Sequence, residues 1–207
     1  MSGRGWFMGL LVAIAASGAQ SEKVRNERVA VVEVTLRPGE AASVAGDYPS
    51  VTVYFTSGIV AAAAGGGTPQ SETVRRGEAV FRAAQARVER NSGASVLHFA
   101  RVEFLGSGGA ETWGSSGLSP HYQVLLENQY TRVYDIRIPA HTAEPRHTHK
   151  DRVVICLSGA QLRHLMPDGR QEDSTLKTGE IAWRRGSTHI GQNLGNTDLW
   201  VIAVEPK

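Results

Sequence analysis

The sequence predicts an all-β protein built from two antiparallel units in tandem, and two observations support this fold class. First, short segments rich in Val, Phe and Tyr alternate with turns that contain Gly and Pro along most of the 207 residues. Beyond the first twenty residues, no long apolar pattern of helical period occurs. Second, one half of the chain repeats the other.

The repeat has a constant displacement of 102 residues and extends over most of both halves. Matches in a single register over such a length indicate a duplicated structural unit. The matched pairs include Asn91 with Asn193, Gly77 with Gly179, Glu78 with Glu180, Leu97 with Leu199 and Glu103 with Glu205.

The predicted strands are short apolar segments that end at turn residues, and they fall into two groups separated by a Gly- and Ser-rich stretch. We therefore expect an N-terminal barrel over residues 21–104, a linker over residues 105–120 and a C-terminal barrel over residues 121–207. The main predicted strands are 29–36, 50–55, 76–81 and 95–104 in the first half, and 130–138, 153–157, 161–166, 181–184 and 199–204 in the second.

Residues 1–19 have the pattern of a secretory signal peptide. Arg4 precedes a short apolar core, and small residues follow before a cleavage point ahead of Gln20. The apolar run is too short to span a bilayer comfortably, and no Cys lies near the cut to carry a lipid. We expect a secreted or periplasmic protein without a stable membrane anchor.

Composition excludes some functions. The net charge of +2 is nearly balanced, so no basic surface for nucleic acid is expected. The single cysteine, Cys156, cannot form an internal disulfide, so the fold must be stabilised by its core. Because Cys156 lies within the apolar run 153–157, we interpret it as a small buried hydrophobic residue.

Three histidines are the candidate metal ligands. His147 and His149 are two residues apart, so they project from the same face of an extended strand. Neutral imidazole is a common ligand of divalent metals, and His189 could complete a set of three. This pattern predicts a metal site in the second half.

These residues resemble the motifs of the cupin superfamily, and the repeat resembles a bicupin. The first cupin motif is similar to His147, Thr148 and His149 followed by Gly159. The second is similar to Gly179 and Glu180 followed by His189 and Asn193. The resemblance implies two tandem cupin-type (jelly-roll-like) antiparallel β-barrels, with metal ligands only in the second.

Several positions depart from the cupin pattern. Arg152 stands where cupins usually carry a metal-binding Glu, and Arg185 stands where the second motif has Pro. At the constant displacement, the three His positions become Ala45, Asp47 and Arg87 in the first half. The resemblance therefore implies a degenerate N-terminal barrel that is retained for packing.

The leading functional hypothesis is an exported enzyme of oxygenase or isomerase type that acts on a small anionic molecule. His147, His149 and His189 would hold Fe, Mn, Ni or Zn. Some cupin-like enzymes, such as thiol dioxygenases, use three His without Glu. Arg152 would grip a substrate carboxylate, assisted by Arg184.

Two alternatives remain open at this stage. The first is a non-catalytic module that binds a carboxylate or sugar without metal, and the second is a structural envelope protein. We expect a monomer or a homodimer. Glu144, just before the first motif, could turn inwards as a replacement carboxylate, but we interpret it as a solvated loop acid, whereas His164 could face either side of its strand.

Overall fold

The structure, a computed structural model, describes residues 17–109 and 119–207. Every regular element in these two ranges is a β-strand, which confirms the predicted all-β class. Within them there is no helix with the length and apolar character needed to cross a bilayer. Most of the predicted leader and the centre of the predicted linker, residues 1–16 and 110–118, lie outside the described residues.

The first half of the described chain contains nine strands. They are β1 (Ala19–Arg25), β2 (Val29–Leu36), β3 (Ala41–Val44), β4 (Ser50–Tyr54), β5 (Gly58–Ala64), β6 (Gln70–Val74), β7 (Ala79–Arg82), β8 (Arg87–Asn91) and β9 (Leu97–Phe104).

The second half also contains nine described strands, most of them at equivalent positions. They are β10 (Tyr122–Glu127), β11 (Thr131–Ile138), β12 (His147–His149), β13 (Arg152–Ser158), β14 (Ala160–Leu165), β15 (Gln171–Leu176), β16 (Ile181–Arg184), β17 (Ser187–Asn193) and β18 (Leu199–Pro206).

The two halves have the same antiparallel sheet topology. In the first half, a five-stranded sheet of order β1-β2-β9-β4-β7 faces a four-stranded sheet of order β3-β8-β5-β6. The orders in the second half are β10-β11-β18-β13-β16 and β12-β17-β14-β15. In each half the two sheets enclose an apolar interior of their own, so each half forms a barrel.

Two asparagines make the same hydrogen bonds in the two barrels, as the 102-residue repeat requires. Each donates its side-chain amide to two backbone carbonyl oxygens, one at the end of a strand in the opposite sheet and one four residues further along the chain. The bonds are Asn91 to Leu36 at 2.9 Å and to Ser95 at 2.7 Å, and Asn193 to Ile138 at 3.1 Å and to Thr197 at 2.8 Å.

The five-stranded sheets share one apolar core, which explains the continuous apolar run in β13. Val153 and Ile155 face this shared core, together with valines of β2, β4 and β9 in the first half. Val154 and Cys156 face the interior of the second barrel. Because both faces of β13 are buried, its sequence is apolar at every position from 153 to 157. Cys156 is fully buried, as expected.

The constant displacement gives the wrong counterparts for two of the histidines. His147 lies opposite His189 on the neighbouring strand, whereas the residue opposite Arg87 is Val44. Ala45 is exposed, and so is Asp47. The first barrel therefore has the apolar Val44 where the second has His147.

The cause is one additional residue in the second half. Ala143 pairs with Gln192, and His147 pairs with His189. Between these two pairs there are three residues in the segment before β12 but only two on β17. In the first half β3 and β8 pair without any interruption. The additional residue lies directly before β12 and shifts the histidines by one position relative to the repeat.

The shared core should dominate the stability of the described chain. Ile155→Ala removes a fully buried side chain from this core, so we expect the free energy of unfolding to fall by about 2–5 kcal/mol. Ile59→Ala, at a position that is 40% exposed, should change it by less than about 0.5 kcal/mol. Denaturant unfolding followed by circular dichroism measures both values, and equal effects would contradict the shared core.

Candidate metal centre

The strands β12 and β17 bring the three candidate histidines together in the interior of the second barrel. His147 and His189 are direct neighbours across the two strands. His149 follows on the same face as His147, and both are buried, while Thr148 between them is exposed. One ring nitrogen from each of the three histidines lies within 4.8 Å of the others. The structure thus places all three predicted residues in one cluster.

Hydrogen bonds on the outer side of the rings orient two of them. The Nδ1 atom of His147 lies 2.8 Å from the carbonyl oxygen of Pro145. Because a carbonyl oxygen can only accept, Nδ1 carries the proton and Nε2 keeps its lone pair. The Nδ1 atom of His189 similarly lies 3.1 Å from the hydroxyl oxygen of Ser187. An outer partner of this kind is typical of histidines that bind metal ions.

The site keeps the imidazoles of His149 and His189 neutral. Burial lowers the pKa of His149 strongly, and the positive charge of Arg152 lowers it further. Burial also lowers the pKa of His189 to about 3, with added repulsion from His164, His147 and Arg152. Both rings are therefore uncharged at neutral pH, which is the form that binds metal ions.

The cluster fits a divalent metal ion. Nitrogen ligands lie about 2.0–2.1 Å from such an ion, so two of them are at most about 4.2 Å apart. The Nε2 atoms of His147 and His149 are 2.9 Å apart, and the largest separation in the cluster is 4.8 Å. Ligand nitrogens of a tetrahedral site are about 3.4 Å apart, so the most distant pair would have to approach by roughly an ångström or more for all three to meet one ion.

Glu144 is not the solvated loop acid that its sequence context suggested. It is 4% exposed, and its Oε1 atom accepts a hydrogen bond of 2.7 Å from the hydroxyl of Ser119. Its Oε2 atom lies 3.8 Å from Nε2 of His147. Burial raises the pKa of this carboxyl group. The site therefore contains a carboxyl group at the position that the sequence left as the less favoured interpretation of Glu144.

Tyr122, on β10, is a residue of the site that the sequence interpretation missed. Its hydroxyl oxygen lies 3.2 Å from Nε2 of His149, and burial raises its pKa well above the ordinary value. It is therefore a neutral donor beside the cluster. Its position near the start of the second half offers no local motif, and only the pairing of β10 with β11 brings it to the site.

A cavity of about 380 Å³ opens beside the cluster. His149 and His189 line it, and so does His164, whose ring centre is 4.4 Å from that of His189. The sequence left the direction of His164 open, and the structure places it towards the cavity. A large part of the wall is aliphatic, formed by Ile136, Ile138, Val154, Leu162, Leu176, Leu199 and Val201.

Arg152 and Arg184 both line this cavity and face each other across β13 and β16. Arg184 donates to Glu180 at 2.8 Å, so its charge is already compensated. Arg152 donates only to the carbonyl oxygen of Lys150 at 3.3 Å, and among the described residues no carboxylate lies within ion-pair distance of it. The Arg152 pKa is lowered by burial. A guanidinium without a direct carboxylate partner therefore faces the cavity, and the carboxyl groups of Glu205 and Glu144 act on its charge only from a greater distance.

Several solved structures have the same fold. AerE from Microcystis aeruginosa is 11% identical, with a TM-score of 0.69, and the alignment covers 95% of this chain and 95% of that one. A cupin 2 conserved barrel domain protein from Leptotrichia buccalis is 12% identical, with a TM-score of 0.61 and coverage of 96% and 93%. Oxalate decarboxylase from Bacillus subtilis, which has Mn(II) centres, is 13% identical, with a TM-score of 0.62 and coverage of 93% and 74%.

At these identities the likeness concerns the fold. No protein-family model matches the chain, and no curated protein matches its sequence. The sheet topology together with the similar structures shows that this chain has the antiparallel barrel fold of the cupins.

Lowering the pH should destabilise the metal-free protein. Burial lowers the pKa of His164, as it does for His149 and His189, so below about pH 6.5 the unfolded chain binds more protons than the folded one. The free energy of unfolding should therefore decrease as the pH falls from about 7 to 5. His164→Gln removes one of these groups and should make the decrease smaller.

Urea unfolding of both proteins, with a chelator present, at several pH values measures this difference. Burial raises the pKa of Glu144 and of Glu205 in both proteins, and this opposing contribution cancels in the comparison. An equally steep decrease in the variant would contradict a buried, neutral His164.

Proposed function

We propose that the chain is an exported bicupin whose second barrel binds one divalent metal ion and acts on a small anionic molecule. The observation that carries the proposal is the interior cluster of His147, His149 and His189 beside a cavity that Arg152 also lines. The reaction would be of oxygenase or isomerase type. The leader at residues 1–19 would direct export.

The three histidines would hold Fe, Mn, Ni or Zn. The Mn(II) centres of the similar decarboxylase support a divalent ion, because that protein has the same barrel fold. When bound, such an ion polarises a coordinated oxygen atom or activates dioxygen, depending on the metal. The chain itself supplies neutral imidazoles, a buried carboxyl group and the Tyr122 hydroxyl beside His149.

Arg152 would hold the anionic group of the substrate. A guanidinium binds a carboxylate with two parallel hydrogen bonds, and the bond is stronger where water is excluded. Since no described carboxylate forms a direct ion pair with Arg152, an incoming anion could bind its guanidinium without first breaking one. Arg184 would assist at the mouth, where its bond to Glu180 can be exchanged.

The cavity favours an anion with an apolar body. Seven aliphatic side chains line the wall, and the volume of about 380 Å³ lies near the lower end of ligand pockets, which span roughly 300–1,000 Å³. A carboxylate of two carbons would leave most of this wall uncovered. A carboxylate attached to a short alkyl chain or a ring would bury it and gain hydrophobic stabilisation.

A binding module without metal is the second candidate, and the charge of Arg152 is the observation that favours it. Arg152 acts on His149 strongly enough to lower its pKa, so a nearby dication would be repelled unless a negative group lies close. In that case Arg152 and the histidines would bind a carboxylate or a sugar directly. Metal content distinguishes the two candidates.

The purified protein is reconstituted in turn with Fe(II), Mn(II), Ni(II) and Zn(II), and free ions are then removed. We expect the protein to retain about one equivalent of at least one of these metals, because it contains one three-histidine site. The double variant His147→Ala with His149→Ala should retain none. Elemental analysis measures both, with His98→Gln in the first barrel as a matched control. If the double variant retains metal, the proposed site is wrong. If the wild type retains no metal, the binding module without metal is favoured.

Arg152→Gln should abolish the binding of hexanoate while leaving metal content unchanged, because it removes the guanidinium and none of the three histidines. Arg163→Gln, on the outer side of β14 and paired with Asp173 at 2.7 Å, is the control. Isothermal titration of the metal-loaded protein compares hexanoate with acetate, which lacks the alkyl chain, and with hexanol, which lacks the charge. The two comparisons test the contributions of the apolar body and of the charge separately. Equal binding of acetate and hexanoate would contradict the role of the aliphatic wall.

A further inference from the structure

The carboxyl group of Glu144 occupies its position because of the additional residue before β12. The backbone N–H of Glu144 donates to the carbonyl oxygen of Gly191 at 2.8 Å, and regular pairing resumes at His147 with His189. Three residues, 144–146, therefore lie opposite only two residues of β17, Ile190 and Gly191. This is a β-bulge, a device that commonly re-aims a side chain beside a functional site.

The bulge turns Glu144 towards the atoms that face the centre of the cluster. Its Oε2 atom lies 3.8 Å from Nε2 of His147, the same nitrogen that lies 2.9 Å from Nε2 of His149. A carboxylate that merely oriented His147 would instead bind Nδ1. That atom is already bonded to the carbonyl oxygen of Pro145. Glu144 therefore stands on the ligand side of the ring.

Two neighbours fix the carboxyl group in this place. The hydroxyl of Ser119 donates to Oε1 at 2.7 Å and leaves Oε2 directed at the histidines. On β17, Gly191 presents no side chain, and a Cβ atom there would lie 2.7 Å from Oε2. The space that Glu144 occupies exists because residue 191 is glycine.

The charge of the cluster calls for such a group. An imidazole ligand brings no charge, so three of them would leave the full charge of a divalent ion in place. Arg152 adds another positive charge that acts on His149. A buried ion is tolerated when a counter-charge lies next to it. The carboxyl group of Glu144 is the one that lies within 4.0 Å of a cluster nitrogen among the described residues.

We infer that Glu144 is a fourth metal ligand, delivered by a β-bulge from the amino-terminal side of the histidine pair, with Ser119 and Gly191 as its positioning residues. This inference rests on the proposed metal site. It assigns the carboxylate to a position before His147, whereas Arg152 occupies the position after His149.

Titration with Mn(II), followed by the electron paramagnetic resonance signal of the free ion, tests the assignment on the full chain. Glu144→Gln has almost the same shape and can still accept the bond from Ser119, so the fold is retained. We expect its Mn(II) dissociation constant to rise at least about tenfold and the spectrum of the bound ion to change. Glu33→Gln, at a partly buried carboxyl group of the first barrel that pairs with Lys23, should leave both unchanged.

Gly191→Ala tests position without changing charge. The added methyl group would displace Oε2, the movable end of Glu144, so Mn(II) affinity should fall although the carboxylate remains. In a double-mutant cycle, Gly191→Ala should have little further effect once Glu144 is Gln. A full effect in the Gln background would show that Gly191 acts on the site independently of Glu144.

The outcomes separate this inference from the proposed function. If the wild type binds Mn(II) through its histidines and Glu144→Gln binds it equally well, Glu144 is not a ligand and the three-histidine site stands. If the wild type binds none of the four metals, the metal site itself fails, and the assignment of Glu144 fails with it.

Discussion

The apolar core between the two five-stranded sheets is the interaction on which the rest of the structure depends. It is formed by the outward faces of strands whose inward faces line the barrels, so each barrel is stabilised from outside. Ile155 and Val153 bury their side chains there, while Val154 on the same strand faces the second barrel. The interior of that barrel can therefore contain histidines, a carboxyl group and a cavity without being the main source of stability.

The two barrels place a carboxyl group against the same strand position by different routes. In the first barrel the position is Glu89, whose buried carboxylate binds Arg87 at 2.7 Å and Arg101 at 3.3 Å. In the second barrel the equivalent residue is Gly191, and the carboxyl group of Glu144 lies against it. In the first barrel the carboxylate is therefore neutralised by two arginines. In the second barrel the carboxyl group of Glu144 faces the histidine cluster instead.

Much of the fold could be predicted from the sequence because it depends on period-two alternation and on the repeat. Strands with one or two buried faces, such as β2 and β13, show their apolar pattern directly. β1 and β15 were missed because most of their residues are exposed and polar, so backbone pairing alone defines them. The clustering of His147 and His149 was predictable, since residues two apart share a face of a strand.

The rest of the site could not be predicted, because it depends on register and on contacts that are distant in sequence. The bulge before β12 is one residue long, and a constant displacement across the repeat conceals it. That is why Ala45 was aligned with His147 and why Glu144 was interpreted as a loop acid. Tyr122 approaches His149 only through the pairing of β10 with β11, and no pattern around Tyr122 indicates this contact.

The positions of Glu144 and Arg152 together determine what the proposed site can accept. Arg152 starts β13 on the face that lines the cavity, and Glu144 lies on the other side of the histidine pair in the chain. In this arrangement the carboxyl group of Glu144 is held close to a ligand nitrogen and forms no direct ion pair with the arginine. A metal ion would be compensated by Glu144, so that the charge of Arg152 remains for a substrate anion. A carboxylate at position 152 would instead have compensated the metal and removed from the cavity wall the guanidinium that acts on His149. Such a site would attract anions less strongly than one that contains Arg152.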